Sequence, residues 1–151
     1  MKWRERIRDA YREHTRRHHP AFFEMSGGVK MKTKTWSDAT ANGLTKAIVD
    51  WITFAGGFAS RINNYGKMRR VGGRMVWGKG TSVKGIADIM ATMNGRALHV
   101  EVKIGRDRMS DAQRKVQAKV EASGGLYFVA KDMESFLAWW DEVFNQTTSA
   151  A

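Results

Sequence analysis

Residues 85–103 read Gly-Ile-Ala-Asp-Ile-Met-Ala-Thr-Met-Asn-Gly-Arg-Ala-Leu-His-Val-Glu-Val-Lys. Two apolar runs flank Asn94-Gly95, and that dipeptide is the strongest short-range signal for a two-residue type I′ hairpin turn, because both residues enter positive φ at little cost. The turn sets the register. Met93 faces Arg96, every further pair has the same sum of residue numbers, and Asp88 falls opposite Glu101. Side chains alternate between faces, so Ala87, Ile89 and Ala91 share an apolar face with Leu98, Val100 and Val102, and that face belongs to the core. The other face carries Ile86, Asp88 and Met90 beside His99, Glu101 and Lys103. Carboxylates directly opposite each other have Cβ atoms about 5 Å apart and destabilise a sheet unless positive charge lies between them. A divalent cation would reconcile Asp88 and Glu101, and Lys103 projects from the same face as a third functional group. The plainer alternative is a hairpin whose acid and lysine side chains are ordinary solvated surface.

An Asp followed on the next strand by Glu-x-Lys, here Asp88 and Glu101-Val102-Lys103, resembles the core motif of the PD-(D/E)XK nuclease superfamily. The wider pattern is Lys84-Gly85-Ile86-Ala87-Asp88, then Glu101-Val102-Lys103, then Ser110-Asp111-Ala112-Gln113, then Gly124-Gly125. It is similar to the VRR-NUC and Holliday-junction resolvase-like branch. The resemblance implies a restriction-endonuclease-like sandwich with an αβββαβ core and a Mg²⁺- or Mn²⁺-dependent endonuclease acting on DNA. By that analogy Asp88, Glu101 and the Val102 carbonyl ligate the metal, and Lys103 orients or helps deprotonate the attacking water. Lys84 and Gln113 assist at the phosphate or the water. Members that stand alone favour branched DNA and act as homodimers. One departure is visible: the helix before the first strand of the family carries a metal-assisting glutamate, and the corresponding position falls near Thr45. A non-catalytic DNA-binding protein that keeps the fold is the alternative this departure supports.

Charge agrees with a polyanionic partner. The 151 residues carry a net charge of +11, and between Asp50 and Asp88 there is no acid but seven cations, Arg61, Lys67, Arg69, Arg70, Arg74, Lys79 and Lys84. These are the candidate nucleic-acid contacts, since a phosphodiester must be held against its repulsion from two carboxylates. The stretch contains too many glycines to form a long amphipathic helix on an anionic membrane. Absence of cysteine excludes disulfides and thiolate metal sites. No apolar run approaches a membrane span and the first residues are too charged for a signal peptide, so a soluble protein in the cytoplasm of a bacterial or phage-infected cell is expected.

Periodicity supplies the remaining elements. Residues 2–19 predict a basic helix ended by Pro20, with Trp3, Ile7, Ala10, Tyr11 and His14 as its apolar stripe; its arginines either lie solvated or form a DNA-contacting arm. His14 and His18, at i, i+4 with no third ligand, read as surface histidines. Residues 22–35 are either a basic linker or a short edge strand. A second helix is expected from Ser37 or Asp38 to about residue 55, with Leu44, Ala47, Ile48, Trp51 and Ile52 inward, and Gly56-Gly57 ends it. Residues 58–63 alternate as a strand. Residues 67–70 and 74–77 form either a mobile loop pair or a hairpin, with Trp77 packed on the sheet in preference to stacked on a base. Ser110 opens a helix to about residue 123 through a capping box with Gln113, a role that glutamate fills equally well. A strand at 126–130 and a helix at 132–144 follow, and Trp139, off the apolar stripe of that helix, is expected to cover a subunit contact. The order describes an α/β sandwich around a mixed sheet, with residues 1–36 as N-terminal helix and connector, 37–144 as the nuclease domain and 145–151 as a disordered tail.

Overall fold

Asn94 and Gly95 have φ of 50° and 75°, the two positive values a type I′ turn needs, and they join strand β4 (Ile89–Met93) to β5 (Arg96–Val102). The pairs run from Met93 with Arg96 to Ile89 with Val100. One further step in that register places Asp88 across from Glu101. The computed structural model that shows this describes residues 2–21, 34–63, 66–78 and 83–145. Residues 22–33, Lys79, the Lys67 side chain and the tail 146–151, on which several expectations rest, lie outside the described part.

The main sheet has four strands in the order β1-β4-β5-β6, where β1 is Phe58–Arg61 and β6 is Leu126–Ala130. β1–β4 and β4–β5 are antiparallel and β5–β6 is parallel, so the sheet is mixed. A parallel pair needs a crossover. Helix α3 (Asp111–Ala122) provides it, after an α1 of Trp3–His18 and an α2 of Ala41–Phe54; α4 is Met133–Trp140 and runs into a π-helical turn, Asp141–Asn145. The result is an α/β protein with helices on both faces of a mixed sheet.

Periodicity picks the core face correctly. Ala87, Ile89, Ala91, Leu98, Val100 and Val102 are all buried, against Leu44, Ala47, Ile48, Trp51 and Ile52 of α2. Ile7 of α1 and Phe136 and Leu137 of α4 close the same layer. At about 25 cal/mol per Å² of apolar surface removed from water, this layer dominates stability. α3 covers the opposite face, on the side of β5 and β6.

Four expectations change. Helix α2 starts at Ala41 with Thr40 as N-cap, Thr40 Oγ1 accepting the Gly43 amide at 3.1 Å, and not at Ser37 or Asp38. Asp38 is committed elsewhere, accepting the first amide of α4, at Met133, and pairing with Arg4. Strand β1 is Phe58–Arg61, shorter than 58–63, and the Ile62 amide adds one more bond in the same register, to the Asp88 carbonyl at 2.7 Å. Trp139 is engaged within the chain more than its place off the apolar stripe implies: half-buried, it stacks on Phe128 at 4.7 Å and packs against Phe136. The fourth is Trp77. Strands β2 (Lys67–Val71) and β3 (Arg74–Gly78) form a separate two-stranded ribbon around Gly72-Gly73, and Trp77 on it is 66 % exposed, not packed on the main sheet.

The arginines of α1 are largely engaged. Arg6 binds Asp141 through both guanidinium nitrogens, Arg12 pairs with Asp9, and Arg17 pairs with Glu13. His14 packs, with tilted rings, beside His18 and against Phe54. Among the described residues no helix is long and apolar enough to cross a membrane.

Candidate active site

Asp88, Glu101, Lys103 and Gln113 meet where β5 ends. Asp88 immediately precedes β4, and its Oδ2 accepts the Val102 amide at 3.0 Å, so the neighbouring strand fixes the carboxylate. Glu101 is 1 % exposed and Lys103 8 %. A solvated outer face is therefore excluded. Alternation assigns Glu101 to the face away from the core, and α3 then closes over it.

Lys103 Nζ lies 3.1 Å from Glu101 Oε1 and 3.4 Å from Asp107 Oδ2. Gln113 makes both contacts that its position allows. Its Oε1 accepts the Ser110 amide at 2.8 Å while Ser110 Oγ accepts the Gln113 amide at 3.3 Å, which completes the capping box. Its Nε2 donates to Glu101 Oε1. The close approach depends on Gly85, whose φ is +82° and where an added Cβ would lie 2.5 Å from the Ala112 carbonyl carbon. A side chain at position 85 would push the first turn of α3 away from the sheet.

An open pocket of about 290 Å³ lies over these groups. Val102 and Arg61 line it beside the four, and its opposite wall is the start of α2, where Asn42 and Thr45 face inward. Thr45 is buried and spends its hydroxyl on the Ala41 carbonyl at 2.7 Å. The position counted for an acid is thus in the pocket wall, with a threonine there. Among the described cations between Asp50 and Asp88 only Arg61 lines the pocket, and it is held by Asn42 Oδ1 at 2.7 Å. Arg69, Arg70 and Arg74 lie exposed on the ribbon, and Lys84 is exposed in the turn before Gly85. Asn42 and Asp107 were not anticipated. Asn42 sits one helical turn before Thr45, a spacing that places it beside a residue already singled out, whereas Asp107 lies in the loop after β5, where no spacing rule brings it to Lys103.

Burial first, and the Asp88 charge second, push the Glu101 carboxyl up to about 7, with Lys103 and the nearby Asp88 amide pulling the other way. Burial alone would lower Lys103, but its hydrogen bond and ion pair with Glu101, helped by Asp107, hold it above its ordinary value. Burial, then Glu101 and Asp88, raises the Tyr127 hydroxyl. Glu101 Oε2 is buried without a hydrogen-bond partner. Among the described residues no three His, Cys, Asp or Glu side chains gather to hold a metal, so any ion here would rest on two carboxylates.

The raised Glu101 pKa sets the sign of a pH effect. Unfolded, this group titrates near 4.5, and folded near 7. Between those values the folded chain keeps a proton that the unfolded chain has released, so this group's contribution to stability declines as pH rises through the window. Melting temperatures measured in EDTA should show that decline in the wild type and lose it in Glu101→Gln. His99, whose pKa burial lowers, acts in the opposite sense in both proteins and cancels in the difference. Parallel wild-type and variant profiles would contradict the assignment.

No family model, curated protein or solved structure matches the chain. The functional reading therefore stands on geometry and on the motif in the sequence.

Proposed function

We propose that the protein is a Mg²⁺- or Mn²⁺-dependent DNA endonuclease of the PD-(D/E)XK type, in which α2, β1, β4, β5, α3 and β6 form the restriction-endonuclease-like core. One observation carries the reading: Asp88, Glu101 and Lys103 converge on one pocket, in a chain of net charge +11, with a buried carboxylate oxygen left unpartnered. A buried, partnerless carboxylate oxygen is costly unless a proton or a cation occupies it. Two carboxylates and a backbone carbonyl, that of Val102, suit a hard ion that keeps several waters. Such an ion, when bound, polarises the phosphate and acidifies water at neutral pH.

The chain's own groups do the rest. Lys103, cationic and fixed between Glu101 and Asp107, orients the attacking water and offsets negative charge growing on the phosphate. Gln113 spends its carboxamide on Ser110 and Glu101, so it acts as a positioning residue that aims Glu101. Arg61, held by Asn42, offers a cation to the phosphate at the rim. Thr45 in the pocket wall favours a second reading, a DNA-binding protein that does not cut. Incubating plasmid and a synthetic four-way junction with Mg²⁺, Mn²⁺ or EDTA separates the two. Cleavage with either metal and none in EDTA supports the nuclease, whereas a gel shift without cleavage in any buffer supports the binding protein.

Binding in either case should depend steeply on salt, with about 0.9 log unit of affinity lost per log unit of salt for each duplex phosphate neutralised. Replacing Arg69 and Arg70 together by glutamine should reduce that slope by up to about 1.8. An unchanged slope would make them solvated surface.

A further inference from the structure

The β2–β3 ribbon is unexplained by a site that needs only a pocket. Its pairs are Met68 with Trp77, Arg70 with Met75, Arg69 with Val76 and Val71 with Arg74. Directly paired residues share a face, so Met68, Arg70, Met75 and Trp77 lie on one side and Arg69, Val71, Arg74 and Val76 on the other. Trp77 is 66 % exposed, Met68 53 % and Met75 57 %, and no ion pair among the described residues involves Arg69, Arg70 or Arg74. Exposing this much apolar side chain costs a monomer solubility unless something covers it.

Its occupant must suit both the charge and the rings. The ribbon 66–78 carries four cations and no acid on a chain of net charge +11, so a second copy would meet like charge and a polyanion would be attracted. Major-groove readout needs side chains that hydrogen-bond base edges, and the Trp77 face offers one, Arg70, among three apolar residues. An indole gains most against the flat face of a base, which a stacked duplex hides and a single strand presents. The ring is also preset. Gly66 lies against it so closely that a Cβ there would stand 2.4 Å from Trp77 Nε1, which leaves the remaining surface of the indole to solvent. Gly66 is four residues beyond Ile62 of the pocket wall, so the chain holds the start of the ribbon within about 14 Å of that wall.

We infer that the Trp77 face of the β2–β3 ribbon is a stacking platform for unpaired bases of a DNA strand whose backbone Arg70, on the same face, holds. The inference rests on the proposed action on DNA and names the feature of the substrate that this surface recognises: a single-stranded stretch next to the bond in the pocket.

The test measures binding in EDTA, without reference to cleavage, using wild type, Trp77→Ala and Trp77→Phe on a short oligo(dT) and on a duplex of the same length. Trp77→Ala should weaken oligo(dT) binding by about tenfold or more and leave duplex binding within about twofold, and Trp77→Phe should recover most of the loss because it keeps a π face. Since Trp77 is largely exposed, melting temperatures of the variants should match wild type. Equal losses on both DNAs, no loss on either, or failure to bind oligo(dT) would overturn the inference. So would a Trp77→Ala change confined to oligomeric state in sedimentation, which would make the ribbon a contact between copies. Trp77-dependent oligo(dT) binding in a protein that never cuts DNA would sustain the platform and overturn only the nuclease.

Discussion

Asp88→Asn and Glu101→Gln should each lower the rate of DNA cleavage by about a thousandfold or more, while DNA affinity stays constant or rises. Metal-ion catalysis contributes several kcal/mol to such reactions, and each 1.36 kcal/mol is a factor of ten in rate. Both substitutions preserve shape. The Asn carboxamide oxygen can still accept the Val102 amide that Asp88 Oδ2 accepts at 3.0 Å, and a Gln at 101 can still accept from Gln113 or Lys103. What is lost is charge, and with it the repulsion between carboxylate and phosphate, which is why binding should not suffer. Lys103→Met should inactivate too, but through a different balance: it removes the cation that keeps Glu101 from rising further and leaves a buried carboxyl unpaired. Its melting temperature should therefore fall, whereas that of Asp88→Asn should not. Single-turnover rates with matched melting curves read both effects, and a fully active Asp88→Asn protein would remove the mechanism.

Gln113→Glu should destabilise the protein as well as slow cleavage. The capping box by itself predicts a silent substitution, because glutamate accepts the Ser110 amide as glutamine does. The contact with Glu101 reverses that expectation. A glutamate cannot donate to Glu101 Oε1 when ionised, and two carboxylates in contact cannot both be charged, so one of them holds a proton at neutral pH. The rate should drop by about an order of magnitude or more. The melting temperature should drop near pH 8 and recover near pH 5, where a proton shared between the carboxyls restores a hydrogen bond. A Gln113→Glu protein as stable and as active as wild type across that range would reduce Gln113 to a helix cap.

Local chemistry accounts for what was readable in the chain. Asn94-Gly95 determines one turn geometry, that geometry determines the pairing of β4 with β5, and strand alternation then separates the core residues from Asp88, Glu101 and Lys103. Ser110 and Gln113 name the start of α3, and counting back from Gly56 places Thr45 in the pocket wall. Burial of Glu101 was not readable, because alternation tells which face a residue is on and not which helix will cover it; the cover depends on Gly85 letting α3 approach. Asp38 misled for a similar reason. Its type suits a cap, but its carboxylate accepts the Met133 amide at the start of α4, remote in sequence, where Asp132 is the N-cap. The habit of its residue type points Trp77 to packing, but among the described residues the ribbon that carries it pairs only with itself and leaves the ring exposed.

The central claim is that Asp88 and Glu101 make this pocket a metal-dependent phosphodiesterase. Supercoiled plasmid incubated with wild type and with Asp88→Asn, purified side by side and assayed in Mn²⁺ with and without excess EDTA, tests it most directly. The account predicts nicked or linear product from wild type in Mn²⁺ alone, and none from wild type in EDTA or from Asp88→Asn in either buffer. Equal cutting by both proteins, cutting that survives EDTA, or intact plasmid in every lane would contradict it.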